Sequence, residues 1–370
     1  MKSLRIAWPW PGYNAALKSK ARSATVWWLL PALGLACACV FIAGLGVGAV
    51  PISAGQTLSI LATTVGLELP WAFTEREALV LLHIRAPRVM LGALTGAALA
   101  LGGVVMQALF RNPLADPGLI GVSGGAAMAA AIATVFGAVV WPLSVLPTHL
   151  LLPLSAFFGG WGAVLLVLRL ARNLGETRIE HVLLAGIAVN ALAGAVIGLL
   201  MMIADDAQLR EVAFWSFGSL GRADWSVLPI VALVFLPLLY AGMRFASWLN
   251  TLLLGEGEAQ LLGVPVELVK RGATTLTCLA VGGVVAFTGL IGFIGLVTPH
   301  LIRLIAGPDH RILVPASALL GATLLPLADV LARTVAAPIE LPIGLVTALI
   351  GAPFFLMLLI SARHGGRKVS

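Results

Sequence analysis

Two arginines three residues apart, Arg85 and Arg88, open a long apolar run that ends at the polar turn RNPLADPG. A guanidinium remains charged at physiological pH and can donate two parallel N–H groups to a carboxylate or a phosphate. A pair of this kind at the mouth of an apolar run predicts ionic contacts, either with carboxylates of a partner or with lipid headgroups. It does not predict bond-making chemistry.

Asp329 is the main ionisable candidate inside an apolar run, and it lies four residues before Arg333. A charge at the bilayer centre costs at least ~2.5 kcal/mol, so carriers that are driven by ions retain only a few. The spacing favours an ion pair on one helix face over an ion-coupling role. The six histidines are scattered. We therefore predict no catalytic residue and no metal site.

Acidic residues and glycines cluster in LLLGEGEAQLLGV, Leu252–Val264. This block lies in the long polar connection 244–271, which we interpret as two short amphipathic helices broken near Gly263. The acidic side chains favour a helix start there. A long connection without a span of its own needs a role, and docking of a soluble partner is the natural one. The sequence lacks a GxxxxGK[ST] loop, so we predict that this chain is not an ATPase.

The composition indicates a membrane protein, because 60% of the 370 residues are hydrophobic and only 11% are charged. A soluble domain carries about 25% charged residues. The apolar runs do not alternate as barrel strands would. Helices of about 20 residues cross a bilayer, which predicts an all-α polytopic membrane protein with ten transmembrane helices. The predicted spans are 26–49, 89–110, 119–140, 149–170, 181–203, 226–243, 272–290, 293–306, 312–332 and 342–361.

The distribution of the 23 lysines and arginines sets the predicted orientation. Most of them fall on one side if the N-terminus is cytoplasmic, as the positive-inside rule requires. Arg85, Arg88 and Arg333 then lie outside and the RNPLADPG turn lies inside. We predict a cytoplasmic N-terminal extension over 1–24, a transmembrane permease domain over 25–362 and a cytoplasmic tail over 363–370. The excess of lysine and arginine on the cytoplasmic side accounts for the net charge of +7. The charge therefore does not require a nucleic-acid partner.

Four ordered blocks carry a family resemblance. They are RAPRVMLGALTGAALALGGVVMQALFRNPLADPGLIGVSGGAA (Arg85–Ala127), HVLLAGIAVNALAGA (His181–Ala195), the Leu252–Val264 block, and GFIGLVTPHLIRLIAGPDHR (Gly292–Arg311) with its continuation ADVLARTVAAPIELPIGLVTALIGAPFF. Together they resemble the FecCD/BtuC family of ABC importer permeases, which move iron chelates, haem and cobalamin into bacteria. The resemblance does not extend to the residues before Ala24.

The resemblance implies a BtuC-like homodimer of ten-span subunits in the bacterial inner membrane. It implies two separate ATPase subunits, which bind ATP and Mg, a periplasmic binding protein, and no covalently bound cofactor in this chain. Three groups of residues then take roles. Arg85, Arg88 and Arg333 receive glutamates of the binding protein, Asn112 and Leu114 form part of an inner gate, and Gly255, Glu256, Glu258, Ala259 and Gly263 belong to the segment that couples to the ATPase.

The resemblance ranks haem first as substrate, because DPGLIG in the first block is most similar to the haem permeases. Another iron chelate such as a ferric siderophore ranks second, and cobalamin third. An ion-coupled secondary transporter is the alternative from another class, and it would work without ATP or partner chains.

Overall fold

Long apolar runs become helices in the computed structural model, which describes residues 19–140, 150–173, 176–177, 179–337 and 339–365. Helices are expected because a membrane offers the backbone no other hydrogen-bond partners. Most of the predicted extension 1–24 and of the tail 363–370 lies outside the described residues. Residues 19–24 belong to the first helix, α1.

The α-helices of the described part follow each other with short connections. They are α1 (Ser19–Gly46), α2 (Ala54–Thr63), α3 (Glu75–Leu79), α4 (Ala86–Leu109), α5 (Val122–Val140), α6 (Leu151–Leu170), α7 (Ile179–Ile203), α8 (Asp206–Ser216), α9 (Val227–Arg244), α10 (Ala246–Leu252), α11 (Glu256–Leu261), α12 (Val266–Thr288), α13 (Ile294–Ala306), α14 (His310–Thr334) and α15 (Ile343–Gly365). A π-helix, Val80–Arg85, joins α3 to α4, and a 3-10 turn, Pro117–Ile120, precedes α5. Two-residue strands β1 (Arg172–Asn173) and β2 (Glu176–Thr177) pair antiparallel.

Within the described residues, 7 helical segments are long and apolar enough to cross a membrane. They are Trp28–Gly46, Glu75–Leu109, Leu151–Leu170, His181–Ile203, Val227–Arg244, Val266–Thr288 and His310–Thr334. Three shorter apolar stretches, Val122–Gly137, Ile294–Ala306 and Ile343–Met357, coincide with the predicted third, eighth and tenth spans. The all-α, multi-pass prediction is confirmed. The number ten remains a prediction.

Helix α4 forms the axis around which the other helices pack, and almost all of its residues are buried. Glycines allow this close packing. A Cβ atom at Gly96 would collide with the carbonyl oxygen of Gly321 on α14, and one at Gly103 would collide with that of Gly295 on α13. At both crossings the backbones themselves are therefore in contact, so these glycines fix the distance between the helices.

The bundle has two distinct ends. We call the one with Arg85, Arg88 and Arg333 the arginine end. The other carries the connector, residues 245–265, which holds the short helices α10 and α11 between α9 and α12. The polar turn after α4 lies at this connector end, because Pro113 and Leu253 line the same small cavity. Helices α4 and α14 run in opposite directions between the two ends.

The polar segment 204–225, between α7 and α9, contains the helix α8. Asp205 begins it with a capping box, in which its side chain accepts from the Gln208 backbone and the Gln208 side chain accepts from the Asp205 N–H. The residues after α8 hold the start of α15, since Ile343 and Gly344 donate backbone hydrogen bonds to the carbonyls of Gly218 and Phe217. This contact fixes the linker between α14 and α15.

Candidate functional site

The π-helix that precedes α4 places the side chain of Arg85 beside the last residues of α1. Its guanidinium donates to the carbonyl oxygens of Leu45 (2.9 Å) and Gly46 (2.7 Å) and to that of Val50. The last carbonyls of a helix have no partner within the helix, and a cation there also suits the helix dipole. Arg85 is 4% exposed, so it acts as a buried cap of α1.

Arg88 lies one turn further along and binds two carboxylates. Its Nε and Nη2 atoms donate to Asp329 on α14, at 3.0 and 2.9 Å from Oδ1. Its Nη1 atom donates to both carboxylate oxygens of Glu340, at 3.1 and 3.0 Å. All three nitrogens of Arg88 are therefore engaged within the subunit.

Arg333 completes the arginine end. Its Nη2 atom donates to the carbonyl oxygen of Gly44 (2.6 Å), and its Nε atom lies 3.4 Å from Oδ2 of Asp329. The ion pair predicted between Asp329 and Arg333 is therefore present. The sequence did not indicate that Asp329 also binds Arg88, nor that Glu340 takes part, because these residues are far apart along the chain.

The structure thus brings the three arginines of the docking hypothesis together, but it places them in the interior. Arg88 is 8% exposed, and the side chain of Arg333 is 7% exposed. Each is bound to acceptors of its own chain. Their first role is to join α1, α4 and α14.

The connector is attached to the bundle by a buried lysine that sequence reasoning missed. Lys270 on α12 is 8% exposed and lies 3.0 Å from Glu256 and 3.5 Å from Glu267. Ala259, on the same short helix as Glu256, is fully buried. The acidic residues predicted at a helix start do occupy the first turn of α11, and Glu256 is also an ion-pair partner.

The opposite face of the connector is apolar and uncovered. Leu261 is 90% exposed and Leu262 is 66% exposed, although α11 lies outside the apolar spans. Gly255 and Gly263 bracket the helix with φ angles of 135° and 80°, a region that favours glycine. The predicted coupling residues Gly255, Glu256, Glu258, Ala259 and Gly263 are therefore one compact unit.

The turn after α4, which carries the predicted gate residues, is a tight polar structure. The side chain of Asn112 accepts from the Leu114 N–H at 2.9 Å, and Arg111 has a positive φ of 47°. Leu114 is 36% exposed. Asp116 accepts from the Gly118 N–H at 2.8 Å. Burial raises the pKa of the Asp116 carboxyl, and this hydrogen bond acts in the opposite direction.

Polar residues near this turn join α4 to α13, and others join the connector to the start of α14. Gln107 donates to the Gly295 carbonyl at 3.2 Å and accepts from Arg303. Asn250 on α10 donates to Asp309 at 2.7 Å. Its side-chain oxygen accepts from the His310 backbone N–H at 2.9 Å. A small cavity at this junction is lined by Gln107, Ala108, Pro113, Leu253, Arg303, Pro308 and His310. A glutamine within an apolar run was the sequence signal that could have identified Gln107.

Among the described residues, no three His, Cys, Asp or Glu side chains are grouped as a metal site would require. The three cysteines are free. The functional features of the described residues are thus two end structures joined by α4 and α14.

Comparison with known proteins decides the family. The model of the FecCD transport family matches residues 35–361. The chain belongs to this family. The hemin transport system permease protein HmuU of Yersinia pestis is 45% identical over 305 residues, which are 82% of this chain and 90% of the relative. The cobalamin import system permease protein BtuC of Halobacterium salinarum is 40% identical over 316 residues, which are 84% of this chain and 82% of the relative.

A solved structure shows the same fold. It is an inward-facing conformation of a metal-chelate type ABC transporter, with a TM-score of 0.77 and 31% identity, covering 90% of this chain and 98% of that chain. This FecCD protein is therefore a multi-pass membrane protein and a permease of the ABC importer type.

Proposed function

We propose that this FecCD permease moves haem across the bacterial inner membrane by alternating access, driven by separate ATPase subunits. In this proposal ten spans form each subunit, two copies form the pathway, and both termini are cytoplasmic. A periplasmic binding protein delivers the solute at the arginine end. ATP and Mg bind only to the two ATPase subunits.

The connector carries this proposal. Its exposed leucines, Leu261 and Leu262, have no reason to face water unless another protein covers them. The acidic first turn of α11 is held from behind by Lys270, so the helix is presented as a rigid element. A groove of a soluble ATPase subunit is the proposed occupant, and this assigns the coupling role to Gly255, Glu256, Glu258, Ala259 and Gly263.

The gate proposal rests on the junction between the connector and the turn after α4. Pro113 and Leu253 line one cavity, so movement of the connector would press directly on the turn that holds Asn112 and Leu114. Coupling in this form requires that ATP-driven closure favours one arrangement of the two elements over the other.

Haem is the proposed substrate because the hemin permease of Yersinia pestis is 45% identical to this chain. Cobalamin is the second candidate, since the Halobacterium salinarum cobalamin permease is 40% identical over a similar length. A ferric siderophore is the third. An ion-coupled mechanism has less support, because the buried carboxylate of Asp329 already has Arg88 and Arg333 as partners.

The test is reconstitution of the chain in proteoliposomes with an ATPase and a periplasmic binding protein of its own organism. Haem, cobalamin and a ferric siderophore are supplied separately, each with and without ATP. We expect ATP-dependent uptake of haem above that of the other two. Uptake by the chain alone, driven by a proton gradient, would overturn the importer proposal. Preferred uptake of cobalamin would overturn only the assignment of haem as the substrate.

A further inference from the structure

The two carboxylates that bind Arg88 differ sharply in burial. The side chain of Asp329 is 1% exposed, whereas that of Glu340 is 55% exposed. Asp329 lies on a long helix packed against α4, and Glu340 lies on the non-helical linker between α14 and α15. Glu340 is therefore the partner of Arg88 that solvent, or another protein, can reach.

Charge balance keeps Glu340 in place as long as nothing replaces it. The cluster around Arg88 contains three arginines, Arg85, Arg88 and Arg333, and its ion pairs involve two carboxylates, those of Asp329 and Glu340. A buried guanidinium that loses a hydrogen-bonded carboxylate is strongly destabilised. Departure of Glu340 is thus unfavourable alone and becomes favourable when a second carboxylate arrives at the same nitrogen.

The backbone around Glu340 permits such an exchange. The next residue is anchored, because the Leu341 N–H donates to the Ala332 carbonyl at 3.0 Å, and the start of α15 is held by Gly218 and Phe217. Glu340 itself lies outside the helices, and its side chain is 55% exposed. Its carboxylate can leave Arg88 by side-chain rotation alone, with the linker still attached.

The other two arginines do not offer this exchange. Arg85 donates to backbone carbonyls at the end of α1, and Arg333 donates to the Gly44 carbonyl and pairs with the buried Asp329. Carbonyl oxygens of a folded helix end cannot move away as a side chain can. Nη1 of Arg88 is therefore the position, among the described contacts of these three arginines, where one exposed carboxylate can be exchanged for another.

We propose that Glu340 occupies, in the free permease, the position that an acidic side chain of the binding protein takes on docking. Docking then exchanges one carboxylate for the other on Nη1 of Arg88. The inference rests on the proposed function, which supplies the binding protein. It explains how a buried arginine can serve a partner: Nη1 of Arg88 has a carboxylate partner both before and after docking, and docking affinity is the difference between two similar contacts. Glu340 thereby weakens the association and keeps it reversible.

The test measures the affinity of the full-length permease, in lipid nanodiscs, for the binding protein that supports uptake in the reconstituted system. Glu340→Gln retains an acceptor for Arg88 and removes the competing charge. We expect it to bind the partner about tenfold more tightly, as for other close charge pairs at interfaces. Glu340→Asp keeps the charge and should bind no more tightly than wild type does.

Glu211→Gln is the matched control. Glu211 is half-exposed, as Glu340 is, and pairs with Arg222 at 2.9 Å, so this change removes one carboxylate charge of similar exposure without touching Arg88. Its affinity should equal that of wild type. If Glu340→Gln binds no more tightly than wild type, or if Glu211→Gln tightens binding equally, the exchange is overturned. If the wild-type permease itself does not bind, the proposed function fails and the exchange fails with it.

Discussion

Nε and Nη2 of Arg88 donate to the buried carboxylate of Asp329 at 3.0 and 2.9 Å, which joins α4 to α14 at one end of the bundle. The two helices also cross at Gly96 and Gly321, nearer the middle, where their backbones are in contact. The ion pair and the glycine crossing together fix the relative position of the two helices. The arginine end is therefore a structural joint as well as a proposed docking surface.

Replacing Asp329 by alanine should destabilise the protein severely. The change leaves Arg88 and Arg333 buried with fewer partners, and breaking a buried pair in this way costs about 3–5 kcal/mol. Thermal unfolding in detergent micelles measures the effect as a lower midpoint. Glu211→Ala, which breaks an exposed pair worth at most about 1 kcal/mol, is the control. Equal midpoints for the two variants would show that Asp329 is not a structural joint.

Substituting alanine for Gly103 should also destabilise the fold, for a steric reason. The new Cβ atom would collide with the Gly295 carbonyl, and α4 could accept it only by moving away from α13. Overpacking of this kind costs about 1–3 kcal/mol. Gly162→Ala is the matched control, because the space around Gly162 on α6 is open. A midpoint for Gly103→Ala that is not lower than that of Gly162→Ala would contradict the close crossing.

The sequence predicted features that depend on neighbours along the chain. Asp329 and Arg333 were paired correctly because four residues correspond to about one helical turn. The apolar runs located most of the long helices within a few residues but gave no sign of the short helices α2 and α3. The predicted span 272–290 begins later than the helix does: α12 begins at Val266, because Lys270 forms ion pairs with Glu267 and with the connector rather than contacts with lipid. Hydropathy measures contact with lipid and does not detect helices beyond it.

Contacts across the fold could not be predicted in this way. Glu340 lies 252 residues from Arg88, and no local pattern relates the two. The resemblance identified Arg85, Arg88 and Arg333 as important, but only the structure shows that their side chains are buried and which acceptors they bind. The same holds for Lys270, whose buried position beneath α11 depends on how the connector folds back.

Replacing Lys270 by methionine should loosen the connector without unfolding the bundle. Methionine fills a similar volume but leaves Glu256 without its cation, and hydrogen bonds to charged groups contribute about 1.5–3 kcal/mol. Backbone amides of residues 256–263 should then exchange with deuterium at least about tenfold faster, as mass spectrometry can measure. Arg271→Met is the control, because the Arg271 side chain is 49% exposed. Similar exchange in both variants would mean that Lys270 does not anchor α11.

A substitution at Leu261 tests most directly whether the connector binds an ATPase subunit. The leucine side chain is 90% exposed, so Leu261→Ser removes almost no internal contact and should leave the unfolding midpoint unchanged. If an ATPase subunit covers this leucine, its loss should weaken association by about tenfold, since truncating an apolar anchor at an interface costs 1–2 kcal/mol. ATP-dependent uptake should fall with it. Val65→Ser is the matched control, because Val65 is 72% exposed but lies between α2 and α3, on the arginine-end side. Unchanged ATPase association in Leu261→Ser, measured in the same nanodiscs as the control, would remove α11 from the interface.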